Sequence, residues 1–446
     1  MKVSLSRLVT ICVFVAFCHN DVLLAVFLNE QPTDTGKSTS IYEDSQLYSI
    51  SSQIKDLIQG LIWQNVLTIR ASASKPRKVD PALFAPPLGD FDRIARILAG
   101  LYIDRTLNDP ASRLHARRMD KAWKGLNLEK ISEWALINIT PHLGGSNTLF
   151  YPFGGPDALY PVKLFPQMKN YVLVGLEPIG NFEDIRKNIE NNAALNAIKI
   201  AFSHYLEKGY FITSQMMTQL SNQSIRGALY LILIELVRNG HAIVSIENKS
   251  IDADGNEVAR QKGMIDCVKI VFQLVGSGEQ KNMYYVRANL ANENKKLSYL
   301  KNFMRNFAFI TFIKSASYVL HDQGASQIAT FILMHSGAIL QDDTGLRFAR
   351  FSPEWKMYPF GKYVGPNLAF FNSYRQNDLI EFFAKNHPKP LPFTIGYGFS
   401  KKRPNLLLAV SPLEYLRVMQ ARDSRSSEAD DIGDCPCKRK RPQVTT

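Results

Sequence analysis

Apolar and polar positions along this chain follow two rhythms, and the change of rhythm divides it. A short basic start (Lys2, Arg7) is followed by an uncharged, largely apolar run from Leu8 to Phe17. A membrane-spanning helix needs about 20 residues, and this run is only half that length. A basic flank before a short apolar core is instead the pattern of a secretory leader. The leader is expected within residues 1–25, cut after Cys18 or after Ala25. Residues 26–45 are polar and rich in Thr, Ser and Asp, as in an exposed arm. A helical rhythm follows, with Leu47, Ile50, Ile54, Leu57, Leu61 and Ile62 at three- and four-residue intervals on one face. Prolines between Ser72 and Asp90 interrupt it, and further helices are predicted near 91–102, 111–123 and 128–136.

The character changes at Asn147. Gly and Pro punctuate Thr148–Asp157 and prescribe a particular backbone path rather than a helix. Strands are predicted over 171–176, 241–247, 267–274, 283–290 and 307–313, with late strands over 393–399 and 405–410. Helices are predicted over 182–208, 222–237, 297–305 and 324–339. Glu183 and Asp184 at the head of the first of these favour its positive dipole end. Strands and helices interleave without strict alternation, which predicts an α+β fold. In this reading a helical N-terminal region (26–140) packs on a mixed β-sheet with interleaved helices (141–421), and a disordered basic tail (422–446) follows.

Composition supports a packed core, with 46% hydrophobic and 11% aromatic residues. No run after the leader reaches 18 uncharged apolar residues. The nearest, Ala228–Val237, carries Glu235 and reads as a buried helix. The mature chain is therefore expected to have no transmembrane segment. The net charge of +13 is scattered, with local clusters at 75–78, 113–118, 401–403 and 438–441. Such a surface can attract polyanions, but it equally suits a plain solvated exterior, and export makes nucleic acid an unexpected partner. Of five cysteines, Cys267 lies in an apolar strand and reads as a small buried hydrophobe. Cys435-Pro-Cys437 is too tight for an easy disulfide, and the chain is no disulfide scaffold.

The chain carries no nucleophile elbow, Walker loop, dinucleotide fingerprint or zinc helix. Polar residues in Gly/Pro-rich or apolar surroundings remain. Asp157, behind Tyr151-Pro-Phe-Gly-Gly-Pro, is a candidate catalytic residue or a cap of the following helix. Glu177, at the end of a strand, is a candidate general base or acid, or the partner of an Arg from the N-terminal helices. Asp342 and Asp343, beside Thr344 and Gly345, are candidate ligands for a divalent cation, or solvated acids at the end of a helix. His321 is a candidate proton shuttle or an ordinary structural histidine, and His335 reads as core. The aromatics between Tyr358 and Tyr374 offer a sugar platform or rings packed into the core. Cofactors are undetermined beyond that possible divalent cation.

The segments Phe150–Tyr160, Tyr171–Gly180 and Leu340–Gly345 together resemble a family of exported bacterial proteins of unknown function, over residues 92 to 410. The resemblance implies export and a single long domain, and it implies no reaction. Two function classes follow from the residues themselves. The first is a binding or envelope-associated protein that holds a glycan, a peptide or an envelope component. The second is a carboxylate-dependent hydrolase, metal-assisted if Asp342 and Asp343 hold a cation. The absence of a nucleophile–base pair favours the first.

Overall fold

The computed structural model describes residues 10–18, 21–29, 89–101, 110–124, 128–189, 226–366, 369–393 and 405–417, with single residues 195, 198, 395 and 419. The chain divides into two units, one holding residues 1–83 and 424–446, the other 84–423. In the first, β1 (Thr10–Cys18) and β2 (Asp21–Asn29) form an antiparallel hairpin, Thr10 opposite Asn29 and Cys18 opposite Asp21. The apolar run of the expected leader lies largely in β1, where its Ile and Val residues suit an extended backbone. The helix expected over 47–62 and the tail 422–446 lie outside the described residues.

In the second unit, helices α1 (Asp90–Leu98), α2 (Pro110–Lys124) and α3 (Leu128–Asn138) precede strand β3 (Thr148–Tyr151). Helix α4 (Leu159–Leu164) leads to β4 (Asn170–Gly175). Helices α5 (Phe182–Asn188) and α6 (Leu229–Arg238) come before four strands: β5 (His241–Ile251), β6 (Glu257–Ala259), β7 (Ile265–Leu274) and β8 (Gln280–Arg287). Then follow α7 (Leu297–Arg305), β9 (Phe309–Ile313), α8 (Ser326–His335), β10 (Ser336–Gln341), β11 (Lys356–Gly361), α9 (Asn377–Asn386) and β12 (Asn405–Val410). Ten strands form one sheet in the order β11-β12-β10-β9-β3-β4-β8-β7-β5-β6. The middle five, β10 to β8, run parallel, and antiparallel strands complete both flanks.

Parallel strands are buried on both faces, so their side chains alternate between two cores. Leu149, Tyr151, Leu173, Ile310 and Phe312 enter one core, which helices α1 to α6 cover. Phe150, Val172, Val174, Phe309 and Ile313 enter the other, against α7 and α8. A small third cluster joins Leu379 and Phe383 of α9 to Tyr363 and Leu407. The fold is α+β, with helices packed on a mixed sheet as expected. Asp92 ties α1 to the sheet, accepting the Ile243 N–H at 3.1 Å while pairing with Arg96 at 2.9 Å. Cys267 is buried, as the sequence indicates. Among the described residues no helix is long and apolar enough to cross a membrane.

Three expectations are corrected. Thr148–Tyr151 is not merely an irregular path but a central strand, all four of its residues buried. Too short to show a period, it offered only turn signals. Residues 324–339 are not one helix: α8 ends at His335 and β10 begins at Ser336. A continuous apolar run does not separate a buried helix from a buried strand. His335 is consequently exposed rather than core, its ring 4.6 Å from that of Phe331. Of the long helix expected over 182–208, Phe182–Asn188 is described, capped by the Asn181 side chain, which accepts the Glu183 N–H at 3.1 Å.

The topology sets one place apart. Strand β3 passes through α4 on one face to β4, and its neighbour β9 passes through α8 on the other face to β10. Where adjacent parallel strands leave in opposite directions, their carboxyl ends open a crevice that commonly receives ligands.

Candidate functional site

Four of the segments that leave the carboxyl ends of the sheet carry buried polar residues. Asp157 follows β3, Glu177 follows β4, Lys314 follows β9 and Asp342 with Asp343 follows β10. Lys314 Nζ lies 3.2 Å from Asp157 Oδ2, across the divergence between β3 and β9. Asp157 also accepts the Tyr151 hydroxyl at 3.0 Å and the Tyr160 N–H at 3.3 Å, so it caps the start of α4. The Lys314 ammonium sits 4.3 Å from the centre of the Tyr160 ring, a favourable cation–π placement. Glu235 of α6 completes that corner, accepting the Ala158 and Leu159 N–H groups at 2.7 and 3.1 Å. Burial and the nearby Asp157 carboxylate push the Tyr151 and Tyr160 phenols up, so both stay protonated donors.

Residues 314–318, just after β9, are held by the Asp342–Thr344 segment. The Ser315 N–H donates to Asp342 Oδ2 at 2.8 Å, and the Ala316 N–H donates to Thr344 Oγ1 at 2.7 Å. The Tyr318 hydroxyl donates to Asp343 Oδ2, and Asn405 Nδ2 donates to Asp343 Oδ1 at 2.8 Å. Thr344 returns its own N–H and hydroxyl to Asp342 Oδ1, at 2.9 and 2.5 Å. This clamp holds three non-glycine residues in the left-handed region: Ser315 at φ 58°, Ser317 at 51° and Tyr318 at 60°. Left-handed backbone at ordinary residues persists only where the surroundings over-determine it. Here the surroundings are two buried carboxylates and a hydroxyl. Burial, then Asp343 beside it, raises Asp342 to about 6, and burial also raises Asp343.

The strained segment borders a cleft of about 620 Å³. Its walls are residues 152–155 after β3, 174–177 at the end of β4, 288–291 after β8 and 315–317 after β9. Leu176 and Val319 stand at it with exposed apolar side chains. Among the described residues, the charged ones that line it are Glu177, Glu293 and Asp322, and no described Lys, Arg or His lines it. In a chain of net charge +13, this is a local reversal of sign. Glu177 is 2% exposed and accepts the Tyr285 hydroxyl at 3.2 Å on Oε2.

The candidate residues therefore separate. Glu177 lines the cleft, and among the described residues its partner is Tyr285 rather than an Arg of the N-terminal helices. Asp157 does not line it; its cap of α4 is as expected, while its ion pair with Lys314 is new. Asp342 and Asp343 are buried at the end of a strand, not solvated at the end of a helix. All four of their carboxylate oxygens already accept protein donors. Among the described residues no group of three or more His, Cys, Asp or Glu is placed to hold a metal ion. His321 lies beside the clamp, its ring 5.3 Å from that of Tyr318. Burial and then Arg347 lower His321 to about 4, so it is neutral at physiological pH, which does not suit a proton shuttle there. The aromatics of 358–374 are packed: Phe360 lies against Trp134 at 5.0 Å, and Tyr374 stacks on Tyr318 at 5.0 Å. Among those described, none lines the cleft.

Sequence reasoning missed Lys314, Ser315 and Tyr285. A lone Lys immediately after Phe309–Ile313, a run of four apolar residues and one Thr, was a legible sign of a strand end with a charged partner. Tyr285 sits inside a strand and carried no signal. No protein-family model, curated protein or solved structure matches this chain.

Proposed function

We propose that this is an exported binding protein whose cleft at the carboxyl edge of the sheet holds a small organic ligand, free or as part of an envelope component. The cleft carries the reading. It has the volume of a small-molecule site, lies beside the divergence of β3 and β9, and is bounded by a left-handed segment that a dedicated clamp holds in place. Export rests on the basic and apolar start of the chain and on the resemblance to exported bacterial proteins. The hydrolase reading is weaker, because Asp157, Asp342 and Asp343 are not among the cleft-lining residues and are engaged in internal contacts. Glu177 alone there has no nucleophile or second catalytic carboxylate in hydrogen-bond contact.

The test is native mass spectrometry of the full chain expressed with its leader, with Ala291→Trp as the comparison, since Ala291 is a half-buried residue of the cleft wall. A copurifying mass lost in Ala291→Trp, in protein recovered from outside the cytoplasm, supports the reading. Cytoplasmic retention with no processing defeats the export part. An adduct that Ala291→Trp leaves unchanged defeats the cleft.

A further inference from the structure

Glu177 is the group in this cleft whose charge is least accounted for. Its side chain is almost wholly removed from water, and a buried carboxylate without a cation or a full set of donors is costly. A carboxylate offers about four acceptor positions. Among the described residues it receives one hydroxyl, that of Tyr285, which also lies 3.1 Å from Glu177's own carbonyl oxygen. Among the described residues no ion pair reaches it. The nearby Arg287 is exposed and donates its Nε to the Leu176 carbonyl at 3.2 Å instead. The other charged residues of the lining, Glu293 and Asp322, have the same sign as Glu177.

The backbone around this carboxylate is kept clear. A Cβ on Gly155 would stand 3.3 Å from Glu177 Oε2, and one on Gly175 would stand 2.6 Å from it. Apolar surface borders the same space: Leu176 is 47% and Val319 37% exposed, although exposing large aliphatic side chains to water is unfavourable. An occupant that satisfies both features carries positive N–H donors at one end and an apolar body beside them.

Resting on the cleft reading above, we infer that the ligand is an organic ammonium ion attached to an apolar chain. Its N–H groups meet Glu177 and its chain lies over Leu176 and Val319. An anionic ligand is disfavoured by three carboxylates with no basic residue among the described residues of the lining. A neutral polyol would satisfy the hydrogen bonds but leave the charge of Glu177 and the apolar rim uncompensated.

The experiment is calorimetric titration of the full chain with three probes of one length, hexylammonium, hexanol and hexanoate, and with methylammonium as the short control. Hexylammonium is expected to bind at least tenfold more tightly than the other three. Glu177→Gln should reduce its affinity at least tenfold, and Leu176→Ala, at an exposed position, should narrow its advantage over methylammonium. Should Glu177→Gln fail to fold, Leu176→Ala and Ala291→Trp still report on the site. Tighter binding of hexanol or hexanoate, abolished by Ala291→Trp, overturns the ammonium inference and leaves the cleft reading standing. Hexylammonium binding that Ala291→Trp does not alter overturns both. If none of the probes binds, the inference falls, and the copurified mass decides the cleft reading.

Discussion

Lys314 Nζ and Asp157 Oδ2 stand 3.2 Å apart, and the two side chains are 4% and 1% exposed. One follows β9 and the other β3, the two adjacent parallel strands whose onward connections diverge. The pair closes the sheet edge at the point where that topology would leave it open, and it anchors the segment 314–318 that borders the cleft. Removing one partner strands the other charge away from water. Lys314→Met is therefore expected to cost about 3–5 kcal/mol. Asp157→Asn combined with Lys314→Met should cost less than the sum of the two single variants. Urea unfolding of the three proteins checks this, and strict additivity would show that the pair is not coupled.

Asp342 and Asp343 give the protein an unusual pH response. A carboxyl raised to about 6 in the folded state holds a proton there that the unfolded chain has already released. Its stabilising effect is present at low pH and is lost as pH rises through about 6, at up to about 1.4 kcal/mol per pH unit. The transition midpoint should thus fall as pH rises from about 4, near the unfolded carboxyl value of 3.8, to about 6, and level off above that. Asp343→Asn removes the like-charged neighbour, and the Tyr318 hydroxyl can turn to accept from the new amide. That variant should move the fall to lower pH. Thermal unfolding from pH 4.5 to 8 measures it; identical profiles for the two proteins would exclude the carboxyl pair as the cause.

Ser317→Gly should raise stability by about 1 kcal/mol, because Ser317 is exposed and held at φ 51°, where an L side chain is disfavoured. In exchange, the rim of the cleft gains freedom, and ligand affinity should fall. A variant that is destabilised by the same measurement would refute strain at this position.

Gly175→Ala is expected to cost about 1–3 kcal/mol through overpacking. The added Cβ would lie 2.5 Å from the Tyr285 hydroxyl and 2.9 Å from Gly155 Cα. Gly324→Ala, where a Cβ meets nothing within 4 Å, is the control and should stay within about 0.5 kcal/mol. Equal effects in the two variants would mean that the approach of β4 to residue 155 is not tight.

Much of the architecture was legible without the structure. The helix over 297–305 and the strand over 405–410 appear with the bounds that their periodicity indicates, and eight further elements of the second unit differ by one to four residues at one or both ends. These elements are readable because their pattern records which side faces a core, and that is local information. Strands β3 and β10 were not readable: both are short and buried on each face, so they show no alternation. The cluster of candidate carboxylates was legible as residues of interest, since each follows an apolar run and precedes a turn.

Their roles were not legible. Whether a buried acid meets a cation, a phenol or a backbone N–H depends on which strands lie side by side. Strand order is decided by contacts between segments far apart in the chain. Tertiary structure placed Lys314 opposite Asp157, set the Asp342–Thr344 clamp against Ser315 and Ala316, and left Glu177 facing the cleft with, among the described residues, Tyr285 as its partner. The amino-acid sequence by itself determined most of the helices and strands and flagged Asp157, Glu177, Asp342 and Asp343 as residues of interest. Only the folded sheet decided which of those charges would be neutralised, because neutralisation requires a partner within a few ångströms and local patterning carries no record of distance.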